Sequence, residues 1–85
     1  MELKMNNFPS IKADQVALLQ SDSKTGIVLN KAGTWASNGE DVFLILESFD
    51  LALKISTEIQ LKNKSIEVCI YDCENKLLRF IPAPS

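Results

Sequence analysis

The 85-residue chain contains no histidine. Histidine is the commonest general base and the commonest metal ligand, so its absence removes the usual starting point for acid–base catalysis and for metal binding. Two cysteines without a histidine cannot complete a standard four-ligand zinc site within one chain. We therefore expect a protein that is not an enzyme and that has no metal and no cofactor. An enzyme whose carboxylates meet only in the folded chain is the remaining alternative.

Glycine and cysteine are also scarce. Gly26, Gly33 and Gly39 stand apart and match neither the phosphate-binding loop nor the dinucleotide-binding pattern. Cys69 and Cys73 are too few for the disulfide framework of a small secreted protein. We expect both to be free thiols in a reducing compartment.

The chain has no excess of basic residues and no uninterrupted apolar stretch. Its net charge is −2, whereas proteins that bind the phosphate backbone usually carry a basic excess, so we expect no nucleic-acid partner. Glu47, Asp50 and Lys54 interrupt the apolar run in the middle of the chain, which argues against membrane insertion. The first ten residues do not read as a signal peptide, and the expected location is the cytoplasm.

What the sequence does have is apolar content typical of a globular protein, at 46%. A chain of this length accommodates one domain with a modest core. We predict a flexible N-terminal arm at residues 1–9, a single domain at 10–82 and a frayed tail at 83–85.

The first half of the chain predicts a hairpin preceded by an ambiguous segment. Residues 11–20 could form a short helix capped by Ser10 or a strand, because apolar runs of this length do not settle the choice. The apolar residues at 27–29, two of them β-branched, predict a strand, and 34–36 predict its return strand. Gly33 suits a position of positive φ in the turn between them.

The second half predicts a long helix followed by a second hairpin. Ser37, Asn38, Gly39 and Glu40 fit the capping-box pattern, so we expect a helix from there to about Leu61, ended by Asn63. Residues 66–71 alternate as a strand does, and 76–81 predict its partner across a polar turn at 72–75. The predicted fold class is α+β, a single small domain of order α-β-β-α-β-β with the long central helix packed on an antiparallel sheet. The order is β-β-β-α-β-β if the first segment is extended.

The long predicted helix carries more apolar surface than one sheet covers. Beside its main apolar stripe, Leu44, Leu51 and Ile55 form a second stripe on the helical wheel. Each would forgo roughly 1.5–3 kcal/mol of burial in water. Either the first helix of the same chain or another subunit is expected to cover this second stripe.

Three further residues have a predicted role. Cys69 lies on the strand face of Glu67 and Tyr71 and is expected to be a small packing residue, while Cys73 in the turn is expected to be exposed and oxidisable. Trp35 is interpreted as a core or interface aromatic, with a ligand platform as the alternative.

The passage GIVLNKAGTWASNGEDVFLILESFDLALKIS resembles the roadblock family of small dynein-light-chain-like proteins, and its short Ragulator-type scaffold subunits in particular. IEVCIYDCENKLLRFI is similar to the hairpin that follows the long helix in that family. The resemblance covers about residues 10–81. It departs from the family at the end, where a fifth strand is expected and this chain has Pro82 and Pro84 instead.

The resemblance implies a dimerising, non-enzymatic scaffold or adaptor in a small-GTPase-linked complex. Its partner would be itself or a related roadblock-like chain, and a small GTPase would bind the composite surface. By position, Thr34, Trp35 and Ala36 would be the strand that pairs with the partner. The stripe of Leu44, Leu51 and Ile55 would meet the partner's helix. The alternative function is a small phage or bacterial inhibitor that binds and blocks a host protein.

Overall fold

The computed structural model describes residues 8–36 and 41–84. Their elements, in chain order, are β1 (Val16–Asp22), β2 (Val28–Leu29), β3 (Leu44–Leu46), α1 (Phe49–Lys62), β4 (Ile66–Tyr71) and β5 (Leu77–Ile81). One helix therefore packs on a five-stranded antiparallel sheet within the described ranges, which confirms the α+β class.

The sheet is built around β1. Along one edge β1 pairs with β4, and β4 pairs in turn with β5. Along its other edge β1 pairs with two short strands, because β2 lies beside its C-terminal part and β3 beside its N-terminal part. All of these pairings are antiparallel, and β5 forms the far edge of the sheet.

The core lies between α1 and one face of the sheet. Ile66, Val68 and Ile70 of β4 are buried and alternate with half-buried residues, which confirms the predicted inward face of this strand. Leu18 of β1 is opposite Ile70 and is fully buried. Partly buried side chains from β3, α1 and β5 complete the cluster, namely Leu44, Leu46, Phe49, Leu53, Ile55, Ile59 and Ile81.

Helix α1 has 14 residues, and its buried or half-buried residues Phe49, Ala52, Leu53, Ser56 and Ile59 recur at the three- and four-residue spacing of one helix face. It ends at Lys62, and the backbone N–H of Asn63 donates to the Ile59 carbonyl. The predicted helix end and its terminator are thus confirmed. None of the helices in the part of the chain that the structure describes is long and apolar enough to cross a bilayer.

The predicted start of the long helix is wrong. The capping box at 37–40 lies outside the described residues, but residues 44–46 form strand β3 rather than helix, and the helix begins only at Phe49. The apolar run before Glu47 is short, and such a run fits a buried strand as well as a helix. Because the edge of β1 offers it hydrogen-bonding partners, the strand is formed. Asp41, which directly follows the predicted capping box, forms an ion pair with Lys31, with 3.0 Å between Oδ2 and Nζ.

The ambiguous first segment is the strand β1, and no helix precedes it within the described residues. The order α-β-β-α-β-β is therefore not confirmed. The alternative order β-β-β-α-β-β is observed, although its third strand lies at 44–46 rather than at 34–36. The 27–36 hairpin is present in reduced form, as the short strand β2 with a single bridge between Leu29 and Trp35. Gly33 has φ +86°, as its turn position predicted.

The predicted arm and tail are described only in part. Residues 1–7 and 85 lie outside the described residues. Phe8 is half-buried, and its ring contacts the ring of Phe43 edge-on with 5.1 Å between centroids. At the other end, the Gln60 amide donates to the Pro82 carbonyl at 3.1 Å.

Candidate interaction surface

The sheet has one covered face and one uncovered face. Helix α1 packs on the covered face. On the opposite face no described helix or strand is stacked, and we call this surface the open face. In an antiparallel sheet, directly opposed residues point to the same side. The registers therefore place these residues on the open face: Ala17, Leu19, Ser21, Val28, Ile45, Glu67, Cys69, Tyr71 and Phe80.

An uncharged row crosses the middle of the open face. Leu19 of β1 is opposite Cys69 of β4, and Cys69 is opposite Phe80 of β5. Leu19 and Cys69 are half-buried by their neighbours, whereas Phe80 is 46% exposed. The row spans three adjacent strands, which is about 10 Å at the usual strand spacing. An apolar row of this kind on a sheet face is typical of a surface that another layer covers.

Two polar side chains flank the row on opposite sides. Glu67 lies two residues before Cys69 on β4, and Tyr71 lies two residues after it. The Ser21 hydroxyl donates to a Glu67 carboxylate oxygen at 3.5 Å, a long contact that leaves most of that carboxylate's acceptor capacity unused. Glu67 is the one charged residue among those that the registers assign to the open face.

Three aromatic rings close one end of the open face. Phe43 is buried, and Phe8 and Tyr71 pack edge-on against it at centroid distances of 5.1 and 6.2 Å. Phe8 and Tyr71 also contact each other at 6.1 Å. Ala17, which is opposite Tyr71 on the open face, is fully buried. The uncovered part is therefore the row and the β5 side of the sheet.

Burial raises the pKa of the Cys69 thiol above its ordinary value, and the charge of Glu67 acts in the same direction. Burial likewise raises the pKa of the Tyr71 hydroxyl, which lies beside the Cys69 thiol. Both groups are thus protonated at neutral pH, and Cys69 is a packing residue rather than a reactive thiolate. Cys73 is half-buried, so the prediction that it is exposed is wrong.

Strand β5 continues the apolar surface to the edge of the sheet. Leu77 is 54% exposed and Leu78 is 45% exposed, next to the exposed Phe80. A register shift between Ile70 and Tyr71 marks an irregularity where β5 begins. The outer side of β5 has no paired strand among the described residues. An apolar edge strand beside an apolar face is a typical protein interaction site.

Residues 34–36, predicted to pair with a partner, lie at the opposite edge of the sheet from β5. They contribute one bridge rather than a strand, and Trp35 is 64% exposed. Trp35 lines an open hollow of about 380 Å³ together with Lys24, Thr34 and residues of the 63–66 segment. A second hollow of about 310 Å³ shares Gly33, Asn63 and Ile66 with the first. The structure does not join this region to the open face.

The predicted stripe of Leu44, Leu51 and Ile55 is not one surface. Leu44 belongs to β3, where it is opposite Leu18 and packs against the core. Ile55 is half-buried against the same core, and Leu51 is 37% exposed on α1. The excess of apolar surface predicted for the helix disappears because its first part is a strand. The exposed large apolar side chains lie on β5 (Leu77, Leu78 and Phe80), on α1 (Leu51 and Leu61), on or beside β2 (Ile27 and Val28) and at Trp35.

Sequence reasoning did not find the open face, although a signal was present. The outward residues of IEVCIY include Cys69 and Tyr71, which are only weakly polar, but the packing role predicted for Cys69 was not extended to that face as a whole. The β5 segment LLRF likewise has an apolar residue at almost every position. A strand that is apolar on both sides predicts a sheet covered on both faces.

No group of three or more histidine, cysteine, aspartate or glutamate residues that could hold a metal ion is present in residues 8–36 and 41–84. No family model, no curated protein and no solved structure matches the chain.

Proposed function

We propose that this protein is a non-enzymatic protein–protein interaction module that docks through its open face. The observation that carries the proposal is the uncharged row Leu19–Cys69–Phe80 on a sheet face that no described element covers. Burying an aromatic side chain such as Phe80 stabilises a complex by roughly 1.5–3 kcal/mol, and aromatic residues are frequent at the centres of interfaces.

The arrangement of polar groups supports docking rather than catalysis. The described residues around the row offer a protonated thiol and a protonated phenol, and burial holds both in that form. A nucleophilic thiol or phenol, or a general base, must instead be deprotonated to act. That requires a pKa near or below the working pH. What the row offers a ligand is therefore apolar contact area with a few hydrogen-bonding groups at its border.

The resemblance to the roadblock family supports a narrower proposal, in which the module is a scaffold or adaptor subunit in a small-GTPase-linked complex. The exposed Trp35 at the opposite sheet edge would then be a second contact point for a further subunit. This part of the proposal depends on the resemblance alone.

Site-specific photo-crosslinking tests the docking proposal. A benzophenone amino acid replaces Phe80 in one sample and Leu61 in the other, since Leu61 is also exposed but lies on α1. We expect a discrete crosslinked protein species from residue 80 and none from residue 61 in extracts of the native source. Equal crosslinking from both residues, or none from residue 80, would remove the open face as a docking surface.

A further inference from the structure

We infer that the trough beside Trp35 binds a small molecule that carries a planar ring at one end and an anionic group at the other. The trough consists of the two hollows described above, which share Gly33, Asn63 and Ile66. It is separate from the open face. It would add a ligand-binding site to the proposed function without depending on that function.

The trough has the size and the apolar lining of a small-ligand site. Its two hollows measure about 380 and 310 Å³, each near the lower end of the range for ligand pockets, which is roughly 300–1,000 Å³. The buried residues Leu29 and Ile66 line the first hollow, and Ile66 and the half-buried Ile59 line the second. A ligand that occupies both hollows would therefore contact apolar side chains along its length.

Trp35 supplies an aromatic surface to the first hollow. The residue is 64% exposed, so most of its surface faces solvent rather than the core. Its backbone forms a bridge with Leu29, another residue of the same lining. The indole of tryptophan is a large aromatic face on which planar rings stack. A ring in the first hollow would cover apolar surface that the fold leaves exposed.

The two hollows differ in charge, and this difference orients the ligand. In the first hollow Lys24 is accompanied by Asp22, whose Oδ1 accepts from the Lys24 backbone N–H at 3.0 Å. The described lining of the second hollow contains Lys31 and Lys62 and no carboxylate. Lys31 pairs with Asp41 outside that lining, whereas Lys62 has no ion pair within the described residues. An anionic group is therefore attracted to the second hollow, while the ring occupies the first.

A buried polar side chain adds a hydrogen-bond donor to the second hollow. Gln20 lines this hollow and is only 3% exposed. Its amide nitrogen donates to the Asn30 carbonyl at 3.4 Å. An amide nitrogen carries two hydrogens, and this long contact uses one of them. Gln20 and the Lys62 ammonium together offer an anion one directed hydrogen bond and one uncompensated positive charge.

Trp35 and Lys62 each have another explanation. Lys62 lies in the last turn of α1, where the helix dipole favours a positive charge. The narrower proposal above makes Trp35 a contact for a further subunit. Neither explanation requires the two residues to act on the same small molecule. Experiments that vary the ring and the charge separately therefore distinguish these explanations from a ligand site.

Trp35 is the only tryptophan of the chain, so tryptophan fluorescence reports directly on the first hollow. Adenosine 5′-monophosphate carries the ring and the charge, adenosine the ring alone and inorganic phosphate the charge alone. We expect the monophosphate to quench with a dissociation constant below about 1 mM, adenosine to bind at least about tenfold more weakly, and phosphate not to quench. Equal binding of adenosine and its monophosphate, or no saturable quenching by the monophosphate up to about 10 mM, overturns the inference.

Lysine substitutions test the position of the anionic group. Lys62→Gln is expected to weaken binding of the monophosphate about 5- to 10-fold and to leave adenosine within about twofold, since the lost contact is with the phosphate. Lys54→Gln removes an exposed charge elsewhere on α1 and should change neither ligand by more than about twofold. If Lys62→Gln weakens both ligands equally, or has no greater effect than Lys54→Gln, the phosphate is not in the second hollow and the proposed orientation is wrong.

Tryptophan substitutions test the stacking surface. Trp35→Ala removes the ring and is expected to weaken binding of the monophosphate at least about fivefold, whereas Trp35→Phe keeps a ring and should remain within about threefold of the parent chain. Isothermal titration calorimetry measures both, because neither variant retains tryptophan fluorescence. Circular dichroism checks that both variants are folded. Equal affinities of the two variants would show that the ligand does not stack on residue 35 and would overturn the ligand site.

The outcomes at the trough and at the open face are distinguishable. The residues that line the trough are not among those that the registers assign to the open face. A chain that does not bind the monophosphate but crosslinks from residue 80 lacks the ligand site and retains the docking surface. A chain that binds the monophosphate but does not crosslink from residue 80 retains the ligand site and lacks the docking surface.

Discussion

The Oγ atom of Ser48 accepts a hydrogen bond from the backbone N–H of Leu51, with 3.1 Å between the two heavy atoms. Ser48 has extended backbone angles, and its carbonyl accepts the first helical bond from the N–H of Ala52. These features define Ser48 as the N-cap of α1. The N-cap therefore lies eleven residues after Ser37, which is the N-cap that the capping-box pattern predicts.

Replacing Ser48 with alanine removes this cap. We expect Ser48→Ala to lower the free energy of unfolding by about 0.5–2 kcal/mol, because one backbone donor in the first turn loses its partner. Urea denaturation followed by circular dichroism measures the change. Ser23→Ala is the matched comparison, since Ser23 is also exposed and lies outside α1, and it should cost less than about 0.5 kcal/mol. A larger loss at Ser23 than at Ser48 would contradict this assignment of the helix start.

Much of the fold could be predicted because strong local signals agree with the tertiary structure. The alternation at 66–71, the stop at Asn63 and the turn glycine Gly33 each depend on chemistry within a few residues. The run at 42–46 could not be assigned in this way. A short apolar run fits helix and strand equally well, and the free edge of β1, which decides the outcome, is distant in sequence.

The candidate surface was harder to predict than the fold. Its central row takes residues from β1, β4 and β5, and only the strand registers bring Leu19, Cys69 and Phe80 together. The prediction of a surplus of apolar surface was made for the helix, because 42–46 was counted as helical. Once that segment is placed in the sheet, Leu44 packs against the core, and the predicted second stripe no longer exists.

Gly33 provides a test of the hairpin between β2 and Trp35. Its φ of +86° lies in the left-handed region, and a Cβ atom there would approach only the Gln20 side chain, at 3.7 Å. The cost of Gly33→Ala is therefore a backbone cost, and we expect about 1–2 kcal/mol from the free energy of unfolding. Gly33→Asn should cost less, because asparagine tolerates positive φ. Equal losses for the two variants would indicate that side-chain space, not backbone conformation, limits this position.

Leu18 provides a test of the core. It is fully buried between α1 and the sheet, opposite both Leu44 and Ile70. We expect Leu18→Ala to lower the free energy of unfolding by about 2–5 kcal/mol, since it leaves a cavity that neighbouring strands cannot fill. Leu61→Ala removes the same atoms from a side chain that is 67% exposed and should cost less than about 0.5 kcal/mol. Chemical denaturation at one fixed protein concentration measures both, because association would otherwise shift the apparent stability.

The raised pKa of Cys69 predicts a loss of stability at alkaline pH. In the unfolded chain this thiol loses its proton near its ordinary pKa of 9.0, whereas in the folded chain burial raises the pKa. Between the two values the unfolded state holds fewer protons, so the free energy of unfolding falls as pH rises, by at most about 1.4 kcal/mol per pH unit for one group. Tyr71 extends the fall above its ordinary pKa of 10.0, because burial raises its pKa as well.

Urea titrations between pH 7 and pH 10.5 measure this dependence. We expect Cys69→Ala to flatten the curve between pH 9 and pH 10 while leaving the part that belongs to Tyr71. Cys73→Ala keeps the Cys69 thiol and should retain the full slope. The comparison is between slopes, so a constant cost of removing the sulfur atom does not affect it. If Cys69→Ala and the parent chain lose stability in parallel over this range, ionisation of the Cys69 thiol does not destabilise the folded state. The assignment of Cys69 as a desolvated group at the centre of the open face would then be wrong.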